Sequence, residues 1–221
     1  MINRAIVLVS GGMDSLVTAA IAHRECPELA FLHVSYGQRT QAKELECFRS
    51  LCAHYRPARS KVINMEWFRD IGGSALTDTS LELPSFSPTG TIPITYVPFR
   101  NANLLSAAVA WAEVIGAGFI YIGAVEEDSS GYPDCREMFF TDFQKAIASG
   151  TKNEFPIQII TPVLHMSKAE IVSRGIELKA PFELSWSCYK DSELACGKCE
   201  SCRLRRSAFE QAGYRDPLPY R

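Results

Sequence analysis

Residues 4–20 read Arg-Ala-Ile-Val-Leu-Val-Ser-Gly-Gly-Met-Asp-Ser-Leu-Val-Thr-Ala-Ala, and this stretch decides the fold. Ile6, Val7, Leu8 and Val9 form an unbroken apolar run, short enough for a strand buried on both faces. Ser10-Gly11-Gly12-Met13-Asp14-Ser15 follows, and then an Ala-rich segment with apolar residues at helical spacing. Strand, glycine turn and helix aim free backbone N–H groups and a helix dipole at an anion. Adjacent glycines let the main chain approach phosphate oxygens with no side chain in the way. Ser10 and Ser15 can donate hydroxyls, while Asp14 is available to a magnesium ion or to the loop itself.

Two other phosphate loops fail on this stretch. A Walker A loop needs Lys-Ser/Thr after its second glycine, whereas Met13-Asp14 follows Gly12. A dinucleotide fingerprint needs three spaced glycines, and only an adjacent pair is present. The stretch resembles the SGGxDS loop of the PP-loop ATP pyrophosphatases, which split ATP between the α and β phosphates and adenylate a substrate oxygen. That resemblance makes Val9, Ser10, Gly11, Gly12, Met13, Asp14 and Ser15 candidate ATP-binding residues, with Ser10 and Asp14 also in the chemistry. The competing reading is a ligand-free tight turn, which requires neither both serines nor the aspartate.

With 221 residues and 47% hydrophobic content, the chain can bury one substantial core. Its net charge of −2 supplies no basic field for a long nucleic acid, so no direct nucleic-acid contact is expected. No apolar run approaches the ~18 residues of a membrane span. The first strand starts almost at Met1, which argues against a signal peptide. Of eight cysteines, four sit in one C-terminal cluster, a pattern that favours a metal site over a disulfide framework. Together these features predict a cytoplasmic protein.

Residues 29–34, 61–65, 119–122 and 157–161 read as further strands, alternating with helices over 40–55, 101–115 and 138–148. The alternation predicts an α/β fold with a parallel five-stranded sheet. Residues 72–93, dense in Gly, Ser, Thr and Pro, break the rhythm, and an insertion of this length predicts a functional lid. Ser167 with Glu170 forms a capping box for one more helix. Ligands in such folds bind beyond the carboxyl ends of the strands, where Ser10, Ser35, Glu126 and Thr161 fall. Ser35 therefore joins the candidate nucleotide site.

Cys188, Cys196, Cys199 and Cys202 are spaced C-x7-C-x2-C-x2-C, which can close a tetrahedral zinc site. Four protein ligands leave no open position, so zinc here is structural; an iron–sulfur cluster takes the same ligands. The organisation expected is residues 1–180 as the nucleotide-binding α/β domain and 181–221 as a zinc-binding segment. Cys26, Cys47 and Cys52 lie in helical patterns and read as buried small apolar residues. His23, His33, His54 and His165 show no ligand spacing and read as core or surface residues.

Arg100-Asn101 opens a helix just after Pro98, so a guanidinium beside helix-terminal N–H groups suits a phosphate or carboxylate. Lys168 also lies at a helix start, where a cation opposes the dipole unless an anion arrives. In Gly131-Tyr132-Pro133-Asp134-Cys135-Arg136, Tyr132 can stack on a flat ring. Asp134 can accept hydrogen bonds from an edge such as guanine's N1–H and N2–H2.

The motifs SGGMDS at 10–15, YGQR at 36–39, RN at 100–101, DSSGYPDCR at 128–136, KAEI at 168–171, SCY at 187–189 and CGKCESC at 196–202 resemble the 7-cyano-7-deazaguanine synthase family. The resemblance covers nearly the whole chain and rests most on the YPDCR and four-cysteine motifs. It implies a nucleotide α-hydrolase (PP-loop) sheet with a C-terminal zinc segment, a homodimer, and ATP with Mg2+. The reaction it implies converts 7-carboxy-7-deazaguanine, ammonia and ATP to the nitrile through adenylated intermediates. Ser10, Asp14, Arg100 and Lys168 are then the expected catalytic residues. Arg39, Asn101, Glu126, Asp128, Tyr132, Asp134 and Arg136 are the expected substrate contacts, and Cys188, Cys196, Cys199 and Cys202 the metal ligands.

The chain departs from the family at Thr40, Phe99, Ala102 and Asn103, and Phe99 is expected to lie beside the pocket and reshape it. Such departures leave open a variant that stops at the amide or acylates another amine, even one on a protein. A tRNA-thiolating PP-loop enzyme would want a catalytic cysteine pair and a basic RNA surface, and neither is evident. A non-catalytic zinc-ribbon module would not need the intact Ser10–Ser15 loop.

Overall fold

The computed structural model describes residues 4–84, 91–126, 131–152 and 156–221. The strands are β1 (Arg4–Leu8), β2 (Glu28–Ser35), β3 (Arg59–Asn64), β4 (Phe119–Tyr121) and β5 (Gln158–Ile160). Interleaved with them are α1 (Met13–Glu25), α2 (Gln41–Tyr55), α3 (Trp67–Ile71), α4 (Arg100–Ile115), α5 (Glu137–Gly150), α6 (Lys168–Glu177) and α7 (Glu200–Gln211). All pairings are parallel in the order β3-β2-β1-β4-β5, with Val7 of β1 set between Phe31 of β2 and Tyr121 of β4. This is the expected five-stranded α/β sheet.

Burial of β1 on both faces follows from its unbroken apolar run. Ala5 and Val7 pack with Leu16, Phe48, Ile171 and Phe209, from α1, α2, α6 and α7. Ile6 and Leu8 pack with Leu105, Trp111, Phe140 and Ile147, from α4 and α5. Helices therefore cover both faces, and the chain reverses winding between β1 and β4. The crevice at that switch point is the natural ligand site of such a sheet.

Several boundaries differ from the sequence reading. β3 begins at Arg59, not Lys61, because its pairing with Ala30 of β2 starts there and an edge strand tolerates the charged residues. Cys52 is half-buried, unlike Cys26 and Cys47, since α2 buries only a narrow stripe. Helix α3 lies between β3 and the 72–93 stretch, in residues for which the sequence predicts no element. In the 72–93 stretch, residues 85–90 lie outside the described set, while Ala75, Leu76 and Leu83 form a satellite core with Tyr36, Phe68 and Val97.

Candidate active site

A cavity of ≈ 310 Å³ lies beyond the carboxyl ends of β1, β2 and β4, lined on one side by Ser10, Gly12, Met13, Asp14 and Ser15. The two glycines of this loop have different reasons to be glycine. Gly11 has φ +91°, and a Cβ there would stand 2.8 Å from the Glu44 carbonyl and 2.9 Å from Cys47 Cβ. Gly12 has φ −80°, and a Cβ there would meet its neighbours at ordinary distances. The protein itself does not demand glycine at 12; the space it frees belongs to the cavity. Ser10 Oγ accepts the Gly12 N–H at 3.2 Å and donates to Ser15 Oγ at 3.0 Å, while Ser15 Oγ donates to the Gly12 carbonyl at 3.0 Å.

Lys168 is the first residue of α6, whose N-terminus carries the predicted capping box: Ser167 N–H donates to Glu170 Oε2 at 2.8 Å, and Glu170 N–H to Ser167 Oγ at 3.3 Å. The anion that offsets this misplaced cation is Asp14, whose Oδ2 lies 3.0 Å from Lys168 Nζ. Asp14 Oδ1 is buried with no hydrogen-bond partner among the described residues. A carboxylate oxygen left open beside a phosphate loop has the chemistry of a Mg2+ ligand.

Arg100 reaches the cavity over the Tyr36 ring, 5.3 Å from its centroid, and donates to Tyr36 Oη at 3.1 Å. Burial pushes the Tyr36 phenol up to about 12, so it remains a neutral hydroxyl. Asn101 lines the cavity next to Arg100 and is fixed from behind. Asp134 Oδ2 accepts its backbone N–H at 2.8 Å, and its Nδ2 donates to the Asp134 carbonyl at 2.9 Å. Asp134 is buried, which raises its pKa against the opposing pull of that N–H and of Arg100. It serves α4 as an N-terminal cap supplied from another loop and does not line the cavity. Tyr132 does line it, with its hydroxyl donating to Thr95 Oγ1 at 2.9 Å.

The remaining expected contacts fall elsewhere. Ser35 is buried and accepts the Met65 N–H through its backbone carbonyl. Arg39 donates to the carbonyls of Ala75, Asp78 and Leu81, and so clamps the 75–81 segment. Glu126 accepts the Glu137 N–H at 3.3 Å and lies 3.8 Å from His165, outside the lining, as does Arg136 at the start of α5. Asp128 lies outside the described residues. Phe99, expected beside the pocket, is not in its lining; its ring is half-exposed and packs edge-on against Phe139.

Two contributors escaped the sequence reading. Glu44 of α2 faces the cavity, held by Gln38 Nε2 at 2.8 Å and Thr40 Oγ1 at 2.9 Å. Trp186, Ser187 and Tyr189 bring the C-terminal segment against the loop, where the Trp186 N–H donates to the Gly11 carbonyl at 2.8 Å. Only the SCY motif hinted at this wall.

Behind it, Cys188, Cys196, Cys199 and Cys202 place their sulfurs within 4.8 Å of one another. Backbone N–H groups point at them: those of Lys190, Asp191 and Cys196 at Cys188 Sγ, each at 3.4 Å, and that of Cys199 at Cys196 Sγ, at 3.3 Å. Donors aimed at sulfur stabilise thiolates, so the four residues fit a metal ion and not free thiols.

A family model described as "Queuosine biosynthesis protein QueC" matches residues 4–213. The chain belongs to this family. The 7-cyano-7-deazaguanine synthase of Chlorobaculum tepidum is 58% identical over 98% of this chain and 96% of its own. That of Chloroherpeton thalassium is 57% identical, covering 99% and 97%. This QueC-family chain is therefore a ligase of queuosine biosynthesis. Among solved structures, a 4-thiouridine synthetase in complex with RNA and ATP is similar with a TM-score of 0.55 and 15% identity, over 96% of this chain and 50% of its own. NMN synthetase from Francisella tularensis gives 0.51 and 14%, over 97% and 78%. At those identities the likeness concerns the fold, which is the PP-loop α/β type. Among the described residues no helix is long and apolar enough to cross a membrane.

Proposed function

We propose that this enzyme converts 7-carboxy-7-deazaguanine, ammonia and ATP to 7-cyano-7-deazaguanine, releasing AMP and pyrophosphate. The observation that carries the reading is one cavity joining the Ser10–Ser15 loop, with Asp14 and Lys168, to an aromatic half walled by Tyr36, Tyr132 and Tyr189. A carboxylate is a poor electrophile, so its oxygen first bonds the α-phosphorus of ATP while pyrophosphate leaves. Ammonia then bonds the acyl carbon, AMP departs with the C–O electron pair, and a proton is lost to give the amide. The amide oxygen then bonds the α-phosphorus of a second ATP while its pyrophosphate leaves; AMP departs with the C–O electron pair, and loss of the two N–H protons leaves the nitrile.

No step calls for a nucleophilic side chain, so positioning and charge stabilisation carry the rate. In this reading Gly12 N–H, Ser10 and Ser15 hold the phosphates, and Asp14 with its open Oδ1 would hold Mg2+, which draws charge from them when bound. Lys168 and Arg100 offset the charge that grows at the α-phosphate and the leaving group. Asn101 and Tyr132 position the base. Residues 1–180 supply this machinery, while 181–221 form a wall held by structural zinc on the four cysteines. We place the protein in the cytoplasm, where such thiols stay reduced, as a homodimer using free ammonia.

The test incubates purified protein with ATP, magnesium, ammonia and 7-carboxy-7-deazaguanine and reads product mass. Nitrile with AMP and pyrophosphate is expected. ADP and phosphate would refute the loop assignment. Amide alone despite excess ATP, with a cellular amine readily acylated, would replace the synthase reading with a conjugating one.

A further inference from the structure

A carboxylate is out of place in a cavity that receives polyphosphate, unless it faces a part of the ligand that donates hydrogen bonds. Glu44 is such a carboxylate. It comes from α2, not from the loop, and shares the lining with Tyr36, Arg100 and Tyr132. Its Oε2 accepts from Gln38 Nε2 at 2.8 Å and its Oε1 from Thr40 Oγ1 at 2.9 Å. Gln38 is itself fixed, because its Oε1 accepts the Tyr36 backbone N–H at 2.8 Å, and both Gln38 and Thr40 are buried. Each carboxylate oxygen has room for a second hydrogen bond. The result is a rigid pair of parallel acceptors beside aromatic walls, and the donors that hold it are neutral.

Asp134, the carboxylate to which the sequence points for this role, cannot offer the same. One oxygen caps α4, the other is sealed from solvent, and the residue is absent from the cavity wall. The geometry points to Glu44 as the residue that reads the N1–H and 2-amino edge of the deazaguanine ring, with Tyr36 and Tyr132 flanking the ring. This rests on the deazaguanine reading of the same cavity. Burial raises the Glu44 pKa, the expected cost of a carboxylate whose strongest partners arrive only with the ligand. A lone ammonium would need neither two aligned oxygens nor aromatic walls.

The test compares binding of 7-carboxy-7-deazaguanine with that of its analogue lacking the 2-amino group, by calorimetry, on wild type and on Glu44→Gln. Wild type should bind the analogue roughly 10²-fold more weakly, because an acceptor is left unpaired. Glu44→Gln, which keeps the shape but turns one acceptor into a donor, should lose about the same factor for the parent compound and discriminate between the two by less than about threefold. ATP affinity of the variant should stay within about threefold of wild type, which also reports an intact fold. Equal binding of the two compounds by wild type overturns the inference whatever the variant does. So does a variant whose only defect is a raised KM for ammonia, which would make Glu44 an ammonium site. If wild type neither binds nor turns over the parent compound, the deazaguanine reading falls and takes this inference with it. If wild type turns it over while Glu44→Gln is unaffected, only the role of Glu44 falls.

Discussion

Two ion pairs of nearly equal length stand at different walls of the cavity, the first lining it with both partners and the second with Arg205 alone. Lys168 Nζ stands 3.0 Å from Asp14 Oδ2, and Arg205 Nε 2.9 Å from Asp216 Oδ2. Their surroundings differ. The side chains of the first pair are 17% and 30% exposed, those of the second 1% and 7%. Arg205 also donates to Ser185 Oγ at 2.8 Å and to the Phe182 carbonyl at 3.1 Å, while Asp216 accepts from Leu218 N–H and Tyr220 Oη. Asp14 keeps one oxygen without a hydrogen-bond partner among the described residues. A saturated, desolvated pair can only be broken; an unsaturated, partly exposed one that lines the cavity can exchange partners with an incoming phosphate or metal ion. Distance alone does not separate a strut from a working part, but satisfaction and burial do.

If the C-terminal wall is a strut, removing its metal should produce the largest change. About one zinc per chain is expected by elemental analysis. Apparent binding free energies for such sites are ~10–16 kcal/mol, so stripping the metal or making Cys196→Ser should unfold this wall. Amide exchange should then rise around Trp186 and α7 while β1 and β2 stay protected. Unchanged exchange after the metal is stripped would break the comparison.

Arg205→Met comes next. Leaving Asp216 buried without its partner should cost ~3–5 kcal/mol, read as a shift in the urea midpoint. Arg205→Met with Asp216→Leu should recover part of the loss, because a well-packed apolar pair can replace a buried ionic one. A midpoint that does not move would place Arg205 with the working parts instead.

Asp14→Ala should act in the opposite sense: turnover down by at least about 10²-fold, with metal content and urea midpoint near wild type. A wild-type rate would remove Asp14 from the chemistry.

The same contrast governs what could be read from the sequence. The Ser10–Ser15 loop, the Ser167–Glu170 box and the cysteine cluster are contiguous, so local spacing carried their geometry. Gly123 was not legible, because its reason lies in α1: a Cβ there would stand 2.9 Å from the Asp14 carbonyl. Nor was Glu44, a helical glutamate whose difference from its exposed neighbour Glu46 is only what the fold sets before it. The Arg205–Asp216 pair joins two residues that the sequence presents as ordinary surface charges. Asp134 was recognised as important, but its bond to the Asn101 N–H depends on how α4 meets the 131–136 loop.

The smallest expected effect concerns His33, buried on β2 next to the strand that feeds the loop. Its Nδ1 lies 2.9 Å from the Val9 carbonyl, which can only accept, so Nδ1 carries the proton. Nε2 is buried with no partner among the described residues, and the ring packs 5.2 Å from that of Phe48. Burial lowers the His33 pKa from its ordinary 6.5, against the opposing effect of the Val9 bond. The unfolded chain therefore binds a proton at a pH where the folded chain does not. Stability rises with pH across the window between the two pKa values, and declines as pH falls through the unfolded value of ~6.5. One such proton gives a slope of at most ~1.4 kcal/mol per pH unit. Urea midpoints between pH 7.5 and 5.5 should show this decline, and His33→Asn, which keeps a donor for Val9 but does not titrate, should flatten it. An equal slope in the variant would assign the decline to other groups.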